Sequence, residues 1–195
     1  HEIILDIAAS PGSKTTQIAQ MMKNTGILIA NDVSGDKMSP LGLNVQRMGI
    51  TNTILTMMSG HWFLKSGIKF DRILVDVPCS GTGTIRKSLG TLRIWNPNSI
   101  KKLASEQKLL IEVAFNILKP GGHMVYSTCS SEPHENEAVV SFLLNKYRNA
   151  KIDDIDLNIK KSPAVLSFEG EAYNPDVEKS LRIWPQDNDT EGFFV

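Results

Sequence analysis

Short apolar runs alternate with helical periods along most of this chain, and each run closes on a polar or glycine-containing step. That alternation restricts the fold more than any other feature. Ile3-Ile4-Leu5-Asp6-Ile7-Ala8 reads as a buried first strand, followed by a Pro11-Gly12-Ser13 turn and a helix over about 14–23. Residues 26–30 form a second strand closed by Asn31-Asp32, and 39–48 form a helix with Leu41, Val45 and Met48 near one face. A third strand is expected over 53–57, and a fourth, the clearest, over 70–76. A loop rich in Pro, Gly, Ser and Thr then runs to about Asn98, and a long amphipathic helix covers about 99–118. Lys119-Pro120-Gly121-Gly122 ends that helix, 123–127 is a fifth strand, and 135–146 is another helix. Beyond Ala150 the pattern loosens, with 181–184 and 192–195 expected as antiparallel strands. Connections of this length predict an α/β fold: a mostly parallel sheet with helices on both faces and an antiparallel C-terminal edge. Strands four and five should be neighbours. Ligands of such sheets bind beyond the carboxyl ends of the strands, here residues 8–14, Asp32, 59–62, 76–84 and 128–131.

The 195 residues suffice for one domain, 1–195, with a sizeable core, and 41% apolar with 22% charged residues is ordinary for a globular protein. No run of about 18 apolar residues exists, so no membrane span is expected. The N-terminus, His1-Glu2-Ile3, lacks a signal-peptide pattern and begins almost inside a strand, so a fragment of a longer polypeptide is expected. The 21 basic and 21 acidic residues cancel, which neither suggests nor excludes nucleic acid, since only a local basic surface is needed. Two cysteines, Cys79 and Cys129, cannot fill a four-ligand zinc site, and no metal is expected. Reduced thiols and a cytoplasmic location follow as the default.

Ala8-Ala9-Ser10-Pro11-Gly12-Ser13-Lys14 joins the first strand to its helix. Small residues let the backbone approach a ligand, and the helix N-terminus offers free amide donors. Asp32, at the end of strand two, is placed to accept hydrogen bonds from ribose hydroxyls. A tight turn and a helix-capping Asp would explain the same residues without any ligand. Neither G-x-G-x-x-G nor G-x-x-x-x-G-K-[ST] is present, which favours a nucleoside such as S-adenosylmethionine (SAM) over a pyrophosphate cofactor.

Cys79 follows strand four and Cys129 follows strand five, so both thiols should face one cleft. A lone buried cysteine is usually inert; two on the ligand edge argue for chemistry. Beside a methyl donor, a thiolate can add to C6 of a pyrimidine, making C5 nucleophilic enough to attack an electrophilic methyl group. Such a thiolate needs a lowered pKa, and Asp76, three residues before Cys79, is a candidate to hydrogen-bond the base at N3 or its exocyclic amine. A stacked base is out of reach, so the target must be single-stranded or flipped out.

Taken together, these motifs resemble the Sun-related family of RNA cytosine-5 methyltransferases, over nearly the whole chain. Leu5-Asp6-Ile7-Ala8-Ala9-Ser10-Pro11-Gly12-Ser13-Lys14-Thr15 is similar to the family's SAM loop, and Asp32 to its ribose-binding acid. Asp76-Val77-Pro78-Cys79-Ser80-Gly81 and Tyr126-Ser127-Thr128-Cys129-Ser130 resemble its two cysteine motifs. Glu135-Asn136-Glu137, Arg182, Pro185 and Gly192-Phe193-Phe194 follow its later pattern. The resemblance implies a Rossmann-like class I SAM-dependent methyltransferase fold and Cys129 as nucleophile. It further implies that Cys79 assists product release, that Lys14 and Asp76 orient cofactor and base, and that Lys37 lies near the cofactor. DNA cytosine-5 enzymes attack with a Pro-Cys cysteine instead, so the choice of Cys129 rests on the resemblance. Where the family carries an Asp for the adenine amine, this chain has Ser59-Gly60, so that contact is weaker or comes from another group.

RNA is the expected substrate, tRNA ahead of rRNA on the Gly12–Gln17 and Ala30–Val33 runs, and a monomer is expected. The rivals are a non-catalytic RNA-binding or assembly factor on the same fold, and a small-molecule or DNA methyltransferase. Arg86, Lys87, Arg93, Lys101 and Lys102 could contact phosphate or form a solvated face, and Trp95 could stack on a base or anchor a loop. Trp62 could flank adenine, with packing the commoner fate. His123 and His134 read as structural or exposed, and Met21, Met22, Met57 and Met58 as core filling.

Overall fold

In the computed structural model, which describes residues 1–195, β1 (Ile3–Asp6), β2 (Ile27–Asp32), β3 (Thr53–Met57), β4 (Phe70–Asp76) and β5 (Leu118–Ser127) form one sheet in the order β3-β2-β1-β4-β5. The β1–β2, β1–β4 and β2–β3 pairs are parallel, and β4 and β5 are neighbours as the sequence predicts. The chain divides into two units, residues 1–76 with 112–126 and residues 77–111 with 127–195.

In the first unit, α1 (Ser13–Met22) and α2 (Gly35–Arg47) carry the crossovers. Ala19, with Ile18 and Met22 beside it, packs on Ile4 of β1 and Leu28 of β2. Leu41 and Val45 of α2 bury Ala9 and Ala30. Asp71 ties β4 to its neighbours by accepting from Ile3 N and Lys119 Nζ, each at 2.8 Å.

The second unit holds α3 (Gly90–Ile94), most of α4 (Pro97–Ile117), α5 (Glu137–Lys146), the hairpin β6 (Ser167–Phe168) and β7 (Glu171–Ala172), β8 (Arg182–Ile183), α6 (Pro185–Asn188) and β9 (Phe193–Phe194). β8 and β9 pair antiparallel, Arg182 opposite Phe194, which is the C-terminal pairing the sequence predicts.

Several expectations shift: β5 starts at Leu118 rather than 123, so that it takes in Lys119-Pro120-Gly121-Gly122, and the short helix α3 lies within the stretch expected to be a loop. α2 starts at Gly35 rather than near 39, with extended Ser34 at the N-cap position making no side-chain cap bond, Asp36 suited to the positive end of the helix in the first turn, and Pro40 inside the helix. Met21 and Met57 are exposed, at 78% and 60%, and fill no core. Met21 lies one step round α1 from the stripe of buried Ala19 and partly buried Met22, and Met57 ends the edge strand β3. The β6–β7 hairpin, turning at Glu169-Gly170 with φ of 48° and 82°, has no expected counterpart.

Candidate active site

In the first unit the loop after β1 is pinned by β2. Ala9 N donates to Asn31 O at 2.7 Å, and Ser10 N donates to Asp32 Oδ2 at 3.2 Å. Asp32 is buried; its Oδ1 accepts from Ser34 N at 3.2 Å and lies 3.7 Å from Lys37 Nζ. Ser10 Oγ donates to the Lys37 carbonyl at 2.9 Å. The structure therefore brings together Ser10, Asp32 and Lys37, three predicted cofactor residues. Gly12, at φ 104°, caps α1, and a Cβ there would come within 2.9 Å of Leu41 Cδ1. Only glycine suits that combination. Pro11 and Ser13 are exposed beside it, and Ala8 is half-buried.

Lys14 Nζ lies 2.6 Å from Asp76 Oδ2, so two predicted catalytic residues form one ion pair. Close by is a residue the sequence reading passed over. Asp6 is buried, accepts from Thr15 Oγ1 at 2.7 Å, and keeps Oδ1 buried with no hydrogen-bond partner. Burial pushes its carboxyl up to about 6, with the Asp76 charge adding to the rise and Thr15 and Lys14 opposing it. An acid interrupting an otherwise apolar strand run was the available signal.

Ser59 bonds to its neighbour His61, Oγ to Nδ1 at 3.0 Å. Trp62 is exposed, with Lys65 Nζ 4.6 Å from its ring centroid.

In the second unit the two cysteine loops are laid side by side by backbone bonds. Val77 N donates to Ser127 O at 3.2 Å, and Gly83 N to Cys129 O at 2.9 Å. Thr128 and Phe194 exchange two bonds, and Gly192 N donates to Gly83 O at 2.8 Å. The result is a Cys79 Sγ–Cys129 Sγ separation of 3.2 Å, hydrogen-bond distance for sulfur with no disulfide formed. The Cys79 thiol is pushed strongly upward, first by its hydrogen bond to Cys129, then by burial and by the Cys129 and Glu135 charges. A thiol so raised keeps its proton. The two sulfurs lie within hydrogen-bond reach of each other, and either can be the donor.

Of the basic cluster, Arg86 pairs with Asp189 and Lys101 with Glu169. Trp95 is half-exposed and donates Nε1 to Glu132 at 3.0 Å. Trp95 and Trp184 wall a groove of about 760 Å³, which Thr82 and Ser131 also line.

Residues 1–195 match, from end to end, the family model described as 16S rRNA methyltransferase RsmB/F. The chain belongs to the RsmB/F family. It is 46% identical over 194 residues to the tRNA (cytosine(49)-C(5))-methyltransferase of Pyrococcus abyssi, covering 100% of this chain and 62% of that protein. It is 44% identical over 197 residues to ribosomal RNA small subunit methyltransferase F of Aeromonas salmonicida, covering 99% of this chain and 39% of that protein. The crystal structure of NSun6 from Pyrococcus horikoshii with SFG superposes with a TM-score of 0.84 at 33% identity, over 99% of this chain and 46% of that one. These relatives are thus a tRNA cytosine-5 methyltransferase and a ribosomal RNA methyltransferase, and the fold is the Rossmann-like fold of SAM-dependent methyltransferases. This chain spans less than two thirds of the curated relatives' length.

The residues present fit SAM. Asp32, at the end of β2, holds a buried carboxylate with lone pairs beyond those that accept from Ser10 N and Ser34 N, and Lys37 Nζ lies 3.7 Å away. Gly12 keeps the loop close to α2, and the start of α1 presents backbone amides.

Proposed function

We propose that this chain transfers a methyl group from SAM to C5 of cytosine in RNA through a covalent bond between Cys129 Sγ and C6, as one catalytic domain. The observation that carries this reading is the 3.2 Å separation of the Cys79 and Cys129 sulfurs, which brings both thiols to one point. SAM, when bound, supplies an electrophilic methyl group. Ser10, Asp32 and Lys37 are its seat, with Asp32 accepting from the ribose hydroxyls.

Cys129 Sγ adds to C6, and the electron pair displaced from the C5–C6 bond makes C5 the nucleophile. Asp76 accepts a hydrogen bond from the exocyclic amine, with Lys14 fixing its carboxylate through their 2.6 Å ion pair. After methylation, a water molecule takes the C5 proton, the electron pair re-forms the C5–C6 double bond, and the C6–S bond breaks to release the Cys129 thiolate, which the Cys79 S–H again hydrogen-bonds. That return bond is the part Cys79 plays in product release. The groove between Trp95 and Trp184 suits unpaired bases beside the reacting one, since indole faces stack on any base.

We place tRNA ahead of rRNA on the sequence of the cofactor loop and on the tRNA-modifying relative at 46% identity; the 16S rRNA description of the family model favours the second reading. Incubation with SAM and unmodified transcripts of each, followed by mass spectrometry of the nucleosides, tests both. 5-Methylcytidine in tRNA supports the first reading, and in 16S rRNA the second. Methylation at another atom, or none in either RNA, contradicts the proposal.

A further inference from the structure

All four residues that flank the two cysteines are held by three buried side chains. Pro78 O accepts from Gln107 Nε2 at 2.9 Å, and Thr128 Oγ1 donates to Asn136 Oδ1 at 2.6 Å. Ser80 donates its backbone N–H to Glu135 Oε1 at 2.9 Å and its hydroxyl to Oε2. Ser130 Oγ donates to the same Oε2 at 2.6 Å, and Gln107 Nε2 to Oε1 at 3.0 Å. Glu135 is therefore one carboxylate that accepts from the residue after Cys79 and from the residue after Cys129. It is 0% exposed. Burying a carboxylate is costly unless donors surround it, and here the donors come from both cysteine loops. A carboxylate serving only the start of α5 would have no use for Ser80, 55 residues away in sequence.

We propose that Glu135 is a positioning residue for methyl transfer: it clamps the Cys79 and Cys129 loops in one register, so that the two sulfurs stay paired and Cys129 is presented as the nucleophile. This rests on the proposed role of Cys129. The clamp works by geometry, since the two oxygens of one rigid group fix the separation of Ser80 and Ser130, and by charge. The negative charge of Glu135 is among the causes that hold the proton on Cys79. Replacing it with an amide removes the charge and turns one acceptor into a donor facing other donors.

The test uses the intact protein and its Glu135→Gln variant, alkylated briefly with iodoacetamide near neutral pH and mapped by mass spectrometry. Wild type should label Cys129 in preference to Cys79. Equal labelling, or preference for Cys79, would sink the role of Cys129 itself rather than that of Glu135. Given the wild-type preference, Glu135→Gln should lower the Cys129-to-Cys79 ratio by about tenfold or more, the factor that one pK unit represents. It should also lower kcat on RNA by about a hundredfold, the cost of a misplaced reacting group, with KM for SAM and RNA within about twofold of wild type. An unchanged ratio would overturn the proposal, as would parallel losses of melting temperature and SAM binding with the ratio kept. If Glu135→Gln does not fold, Ser80→Ala removes one side of the clamp. It should then lower the ratio several-fold, and no change there also overturns the proposal.

Discussion

Arg182 places Nε 2.7 Å and Nη2 2.6 Å from the two carboxylate oxygens of Glu137, with both residues buried to 1% and 0% exposure. Arg182 also donates Nη1 to Ser131 O at 2.9 Å and lies 4.8 Å from the Trp184 ring centroid. One ion pair thus joins α5, β8 and the end of the Cys129 loop within the second unit. Removing one partner leaves a buried charge uncompensated, which costs about 3–5 kcal/mol. We expect Arg182→Met and Glu137→Gln each to destabilise by that order in urea titrations, and the double variant to lose less than the sum of the two. Strict additivity would contradict a coupled pair.

Asp6 makes stability depend on pH. Its carboxyl is raised from 3.8 to about 6, so the native state binds a proton that the unfolded chain has released. That contribution is fully present below the ordinary value and lost as pH rises to about 6, a difference of about 3 kcal/mol. Asp6→Asn, which cannot ionise, should therefore gain on wild type between about pH 4 and about pH 7. Denaturant midpoints at the two pH values check this, and a gap that does not change would contradict it.

Gly83 carries no function in its side chain, yet a Cβ there would stand 2.6 Å from Gly192 O and 2.7 Å from Cys129 O. Gly83→Ala must push the Cys129 carbonyl away. Single-turnover methylation should fall by about a hundredfold. SAM affinity, measured by calorimetry, should stay within about twofold, because the proposed SAM residues lie on the loops after β1 and β2. Retained turnover would mean the loop spacing does not matter.

The sequence shows the frame well where physics is local. β4 lies where the apolar run 70–76 predicts, because a buried strand needs a bounded apolar run and little else, and β3 lies at 53–57 as predicted although, as the edge strand, it leaves Ile54 and Met57 exposed. The cysteine pair was legible because both thiols follow adjacent strands. Glu135 was visible only as part of a family pattern, since a buried acid cannot be told from a surface one without knowing what folds over it. The exposed Met21 and Met57 show the converse: apolar identity does not say which side of a helix, or which edge of a sheet, meets solvent. The β6–β7 hairpin escaped because two-residue strands carry no periodicity, and Glu-Gly is a weaker turn signal than Asn-Gly.

Covalent trapping tests the central claim most directly. Wild type, Cys79→Ala and Cys129→Ala would each be incubated with SAM and unmodified tRNA and run on a denaturing gel. The account predicts a protein–RNA adduct that accumulates in Cys79→Ala, where release is slowed, and is absent in Cys129→Ala. An adduct that persists in Cys129→Ala and vanishes in Cys79→Ala would contradict it and make Cys79 the nucleophile.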